Sequence, residues 1–236
     1  MGLWETLLVT AAAGIGGTGL GGLIAALVHR DSGKQTSLFL SFAAGVMLSV
    51  SCFGLLTDAA APGAMHLVAL GLLLGCAVTA GLNALLDRSH ASGGLALAGL
   101  VMAAAIALHN VPEGMVIGAS FLGGSPRRGW TMAAVIGAHN VPEGMAISAP
   151  LAAGGGSRRQ AAGLAALAGA PTVLGAAAGY CLGALGPAAL TLTLSFAAGA
   201  MLHVVFGERR PEAAELWKSK LPALAAVLGI LVGMLL

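Results

Sequence analysis

Charged residues are scarce in this sequence. Asp, Glu, Lys and Arg make up 8% of the 236 residues, whereas 58% are hydrophobic. Because about a quarter of the residues in a soluble domain are charged, this composition excludes a soluble globular protein. The four charged types are absent from residues 35–57, 59–86, 89–112 and 160–207. A transmembrane helix needs about 20 apolar residues, so each stretch can hold at least one helix, and the last can hold two.

Several functional motifs are also absent. The three cysteines, Cys52, Cys76 and Cys181, are too widely spaced for a disulfide framework or a CxxC metal site. The sequence has no GxxxxGK[ST] phosphate loop and no DKTG phosphorylation motif, so we expect no use of ATP. Neither HExxH nor GxSxG occurs, which argues against an enzyme, including an intramembrane metalloenzyme with a glutamate as general base. The net charge of +2 does not indicate nucleic-acid binding, because the basic residues lie in loops.

The apolar stretches predict an all-α integral membrane protein with eight transmembrane helices, forming a single domain over residues 1–236. Short segments rich in Gly, Pro and charged residues separate the spans. We expect no organic cofactor. The sequence leaves the oligomeric state open, and a homodimer is one candidate. The predicted spans are residues 4–28, 36–57, 64–86, 95–122, 130–153, 160–184, 187–206 and 221–236.

Lysine and arginine are distributed unequally between the loops on the two sides. Nine of the eleven fall in the loops after spans 1, 3, 5 and 7, and only Arg127 and Arg128 fall on the other side. Because cytoplasmic loops carry an excess of Lys and Arg, the pattern predicts that both termini lie outside the cytoplasm. The nine are Arg30, Lys34, Arg88, Arg158, Arg159, Arg209, Arg210, Lys218 and Lys220.

Two short segments occur twice. His109–Met115 and His139–Met145 both read HNVPEGM, while Ser41–Leu48 reads SFAAGVML and Ser195–Leu202 reads SFAAGAML. The second pair falls on spans 2 and 7, which cross in opposite directions. We therefore predict an inverted repeat of spans 1–3 and 6–8 around a hairpin of spans 4 and 5, as in many secondary transporters. The alternative is chance recurrence in an Ala- and Gly-rich chain.

The duplicated HNVPEGM motif places a carboxylate inside two otherwise uncharged spans. A charged side chain in the bilayer is costly, and neither span contains a Lys or Arg, which leaves a bound cation or protonation to neutralise Glu113 and Glu143. The His, Asn and Glu of each motif share one helix face, because residues three and four apart are neighbours. Ten residues, about 15 Å of helix, separate Glu113 from the Gly123 loop, which places Glu113 close to the midplane of the bilayer. Imidazole with oxygen ligands suits zinc or a related divalent ion.

HNVPEG in spans 4 and 5, together with SFAAGVML in span 2, resembles the ZIP (Zrt-, Irt-like) metal transporters, in particular the bacterial GufA-like branch. The resemblance covers the full predicted eight-span length. It implies uptake of divalent metal into the cytoplasm across a bacterial inner membrane, with zinc as the first candidate and Fe²⁺, Mn²⁺, Co²⁺ and Cd²⁺ also open. It also implies a metal site of His109, Asn110, Glu113, His139, Asn140 and Glu143, with Met47 either a further ligand or a lipid-facing or core methionine.

One departure concerns span 6, where the family commonly has a Glu that contributes to a second metal position. Thr172 occupies that place here, so the sequence leaves open whether the site binds one metal ion or two. His203 is either an auxiliary ligand or a packed histidine, and Asp58 either attracts cations at the mouth or is a solvated helix end. A structural or partner-binding membrane subunit is the other alternative function, but it would not need two buried carboxylates.

Overall fold

The computed structural model describes residues 1–27, 33–61, 63–87, 95–122, 126–153 and 155–235, and all regular structure within them is helical. Arg30 and Arg88, which entered the orientation argument, lie outside these residues. The helices are α1 (Leu3–Leu27), α2 (Gly33–Ser49), α3 (Leu56–Ala60), α4 (Met65–Asp87), α5 (Leu95–Leu122), α6 (Pro126–Ala153), α7 (Arg158–Ala168), α8 (Pro171–Gly183), α9 (Pro187–Val204), α10 (Arg210–Leu216) and α11 (Leu221–Met234).

Six stretches of the described chain are long and apolar enough to cross a membrane, which confirms a helical membrane protein. Helix α6 has 28 residues but is less apolar than α5, and α11 has only 14 residues. The prediction of eight spans therefore stays a prediction. The six stretches are Leu3–Ala26, Ser37–Ala60, Met65–Leu85, Met102–Leu122, Arg158–Gly183 and Pro187–Gly207.

The helices within the predicted spans are less regular than the sequence indicated. The predicted sixth span consists of α7 and α8 with a break at Gly169 and Ala170, because Pro171 begins a new helix at its first position, where its missing N–H costs nothing. A π-helical segment, Val50–Leu55, joins α2 to α3, and another, Val205–Arg209, joins α9 to α10. Each follows one copy of the SFAAG segment.

The main helix contacts occur in corresponding pairs. Helix α1 packs along α6 as α5 packs along α8, and α4 packs along α9 as α2 packs along α11. These pairs match the predicted repeat. If spans 1–3 are exchanged with spans 6–8, and span 4 with span 5, the first contact of each pair becomes the second.

Glycines permit these close contacts, and they too occur in pairs. The Val141 carbonyl of α6 occupies the space where a Cβ of Gly21 would lie, and the Val111 carbonyl of α5 does the same at Gly175. Gly21 and Gly175 are 154 positions apart, and the two valines belong to the two HNVPEGM segments. Close backbone approach through small residues is the usual packing of helices in lipid.

Aromatic packing joins the end of α5 to the start of α6. The rings of Phe121 and Trp130 meet edge to face with centroids 6.2 Å apart, and Gly129 leaves room for the Phe121 ring. Since α5 and α6 are in direct contact, this hairpin brings the two copies of the motif onto facing helices.

Candidate functional site

The polar residues of both motifs are buried. Asn110, Glu113, Asn140 and Glu143 have no exposed surface, and the two histidines are each 2% exposed. The glycine that follows each glutamate serves packing. The Thr172 carbonyl lies where a Cβ of Gly114 would be, and the Thr18 carbonyl lies in the same place at Gly144.

The carboxylate of Glu113 is held by two side chains from the facing helix. Its Oε1 lies 2.8 Å from His139 Nε2, and its Oε2 accepts a hydrogen bond from Asn140 Nδ2 at 2.9 Å when the amide is oriented to donate. That amide orientation also places Nδ2 3.2 Å from the Ile136 carbonyl. The sequence indicated a bound cation or a proton as the partner of Glu113, and the structure adds a third, the His139 imidazole on the neighbouring helix.

The side chain of Asn110 connects α5 to the break in the predicted sixth span. Asn110 Nδ2 donates to the Ala168 carbonyl at 2.8 Å, at the end of α7. Its Oδ1 is buried and has no hydrogen-bond partner among the described residues. Because a buried oxygen without a partner costs free energy, this atom is available to a cation.

The structure does not bring all predicted ligands together. Within the described chain, no group of three His, Cys, Asp or Glu side chains is close enough to hold a metal ion. Met47 is 1% exposed and belongs to the same apolar cluster as Met115 and Met201, which is the core environment considered as its alternative. Thr172 is fully buried, and its hydroxyl donates to the Gly169 carbonyl at 2.7 Å.

Asp58 and His203, the two secondary candidates from the sequence, make contacts away from the HNVPEGM motifs. Asp58 Oδ2 forms an ion pair with Arg128 at 2.9 Å, and both line an open cavity of about 900 Å³. His203 is partly buried, and its Nδ1 lies 3.7 Å from the Cys76 Sγ on α4.

The pair of Glu113 and His139 suits a divalent ion after a small movement. Tetrahedral zinc binds nitrogen and oxygen at about 2.0–2.2 Å, which places its ligand atoms roughly 3.3–3.5 Å apart. The present separation of 2.8 Å would therefore have to widen by about half an ångström. The proton shared between the two groups would leave, because metal ligands bind in their deprotonated form.

Sequence reasoning missed three features of the structure, two near the motifs and one at the Asp58 cavity. Met201 occupies the same position in SFAAGAML as Met47 does in SFAAGVML, so the repeat itself could have identified it. The Ala168 carbonyl and Arg128 carried no comparable signal, because backbone acceptors and partners across distant helices do not appear in local spacing.

Comparisons with known proteins agree with the motifs. The family model described as ZIP Zinc transporter matches residues 86–236. The chain is 38% identical over 158 residues to the zinc transporter GufA of Myxococcus xanthus, covering 64% of this chain but only 62% of that protein. It is 34% identical over 254 aligned positions to the zinc transporter ZupT of Chlorobium luteolum, covering 97% of this chain and 93% of that protein. The chain therefore belongs to the ZIP family.

Proposed function

We propose that this protein transports divalent transition metal ions, zinc first among them, across a bacterial inner membrane into the cytoplasm without using ATP. The observation that carries the proposal is the fully buried Glu113 carboxylate, which is held by His139 and Asn140 across two facing helices. An ionisable group inside the membrane indicates a functional site by default, and substrate and ion pathways are among the uses of such groups. The names of both curated relatives indicate zinc.

In the proposed mechanism, the metal replaces the hydrogen bond between His139 and Glu113. The ion enters between α5 and α6, the imidazole loses any proton on Nε2, and both side chains bind the ion as neutral imidazole and carboxylate. Asn110, through its buried Oδ1, and the second motif supply further ligands when the helices rearrange. Reprotonation of the pair restores the 2.8 Å contact and releases the ion.

We propose that one ion binds at a time. The usual glutamate of the predicted sixth span is replaced by Thr172, whose hydroxyl is already donated to the Gly169 carbonyl. A neutral hydroxyl in that position cannot balance the charge of a second divalent ion in a buried site.

The eight-span inverted repeat is part of the same proposal. Two observations support it: the helix contacts occur in corresponding pairs, and Gly21 and Gly175, which are 154 positions apart, make corresponding contacts. With both termini outside, Arg127 and Arg128 lie on the outer side and the remaining Lys and Arg on the inner side, as the charge bias requires. Fluorescent or epitope tags at each terminus, tested for protease access in intact spheroplasts, measure this orientation.

The test is zinc uptake into proteoliposomes. Glu113→Gln and Glu143→Gln each remove one buried carboxylate without changing side-chain size, and we expect each to lower the initial uptake rate by at least about a hundredfold, because even outer partners of metal ligands contribute about 10–100-fold. Glu215→Gln is the matched control, since it makes the same change at an exposed position of α10, and it should transport normally.

Size-exclusion profiles and helical content must match those of the unmodified protein before the rates are compared. Normal uptake by correctly folded Glu113→Gln and Glu143→Gln proteins would show that the site is assigned wrongly. Uptake that requires ATP inside or outside the vesicles would contradict the energetics.

A further inference from the structure

A second cavity of about 620 Å³ lies away from the proposed metal path, between α2, α11 and the chain around α10. One end is polar and basic, with Trp217, Lys218, Ser219 and Lys220 in its wall. The other end is apolar, and its wall includes Ala44, Gly45, Leu48, Ala226 and Ile230. The cavity is therefore amphipathic along its length.

The basic end has charge available for a ligand. Lys218 and Lys220 are exposed, and neither forms an ion pair with any residue in the described ranges. A third ammonium is near, because Lys34 Nζ lies 5.7 Å from the centroid of the Trp217 ring. Three cations at the end of an apolar cavity attract an anion that carries a hydrocarbon tail.

Small side chains of α2 and α11 line much of the apolar end. Ala223 and Ala226 of α11 line this end, beside the close contact in which the Ala226 carbonyl packs against Gly45 of α2. The apolar helix α11 (Leu221–Met234) begins next to Lys220. A tryptophan beside lysines at a helix end is the usual arrangement at a membrane–water interface. An acyl chain seated here would run parallel to α11, and its headgroup would be level with the lysines.

We propose that this cavity binds an anionic phospholipid of the cytoplasmic leaflet, with the phosphate at Lys218 and Lys220 and one acyl chain along Ala223 and Ala226. Basic pockets between transmembrane helices on this side recognise such headgroups. The site is independent of the metal site, so its test is binding and does not require transport.

The experiment measures lipid bound to the full-length protein by native mass spectrometry, after reconstitution with phosphatidylglycerol or with phosphatidylcholine of the same acyl chains. We expect preferential retention of phosphatidylglycerol. Lys218→Gln/Lys220→Gln should weaken it roughly 25-fold, because each lysine near an anionic headgroup contributes about a fivefold factor. Lys218→Arg/Lys220→Arg keeps the charge and should keep binding, which separates lost charge from lost folding.

Two further variants locate the ligand. Ala223→Phe fills the apolar end at an exposed position and should also reduce phosphatidylglycerol retention. Arg158→Gln/Arg159→Gln removes two cations that do not line the cavity and should leave retention unchanged. Equal retention of the two lipids, or an equal loss in the Arg158 and Arg159 variant, would overturn the proposal, and so would full retention in Ala223→Phe. A dimer that carries no phosphatidylglycerol in the same mass spectra would also contradict the proposal.

Discussion

Two contacts between a basic and an acidic side chain have nearly equal lengths but very different surroundings. His139 Nε2 and Glu113 Oε1 are 2.8 Å apart with side chains 1% and 0% exposed, while Arg128 and Asp58 are 2.9 Å apart with side chains 49% and 30% exposed. Unit charges 4 Å apart attract by about 1 kcal/mol in water but by about 4 kcal/mol at the effective dielectric of a protein surface, and more inside. Distance alone therefore does not rank the two pairs.

The two pairs also differ in what replaces a lost partner. Water solvates Asp58 in the open cavity if Arg128 moves away, whereas no water is expected to reach Glu113 in the helix interface. Only at the buried pair is a cation the most favourable replacement for the lost partner of the carboxylate. The following experiments test this difference, from the largest expected effect to the smallest.

The largest effect is expected from His139→Ala in metal-free buffer. Removing one partner of a buried pair leaves the other charge uncompensated, which typically costs about 3–5 kcal/mol. Denaturant or thermal unfolding in detergent micelles measures the loss, and Glu113→Gln/His139→Ala should recover part of it because no charge is then stranded. His66→Ala, at an exposed position, is the control and should unfold like the unmodified protein. Equal stability of His139→Ala and the control would contradict the comparison.

A somewhat smaller effect is expected from adding zinc to the unmodified protein. A ligand that binds only the folded state stabilises it by about 2.7 kcal/mol at a free concentration 100 times its Kd. The same titration should leave the melting temperature of Glu113→Gln unchanged, while Asp58→Asn should still respond. If zinc stabilises Glu113→Gln as strongly, the cation binds elsewhere.

Thr172→Asp adds a carboxylate to the buried region with little change in volume. Without metal, an unpaired buried polar group costs about 1–3 kcal/mol, more if charged, so we expect a lower melting temperature in chelator. With zinc or cadmium, the added charge should hold a second ion, and the bound metal measured by inductively coupled plasma mass spectrometry should rise from one per chain towards two. An unchanged stoichiometry in a folded protein would mean that Thr172 is not at a second metal position.

Much of this region could be predicted from the sequence because its signals are local. The apolar runs predicted the helical membrane class, and the bounds of α5 agree with the predicted fourth span. The exact repetition of HNVPEGM indicated which residues would face each other, since helical spacing fixes the shared face of His139, Asn140 and Glu143.

The remaining features depend on contacts that local spacing does not encode. The acceptor for Asn110 is a backbone carbonyl on α7, 58 positions away. The break before Pro171 was predicted as continuous helix because the apolar pattern runs through it. Arg128 was assigned only to a loop, although it pairs with Asp58 on α3.

The smallest effect is expected at Asp58, and it should depend on salt. Asp58→Asn leaves Arg127 and Arg128 without an acidic neighbour in the wall of the 900 Å³ cavity, which lowers the local cation concentration. Arg128→Gln does the opposite, so the two variants should slow and accelerate zinc uptake, and the double variant should resemble the unmodified protein. An exposed pair contributes only about 0.2–1 kcal/mol to stability. Both rate effects should vanish near 1 M salt, where the Debye length is about 3 Å. A loss of uptake in Asp58→Asn that persists at high salt would place Asp58 among the metal ligands and remove the contrast between the two pairs.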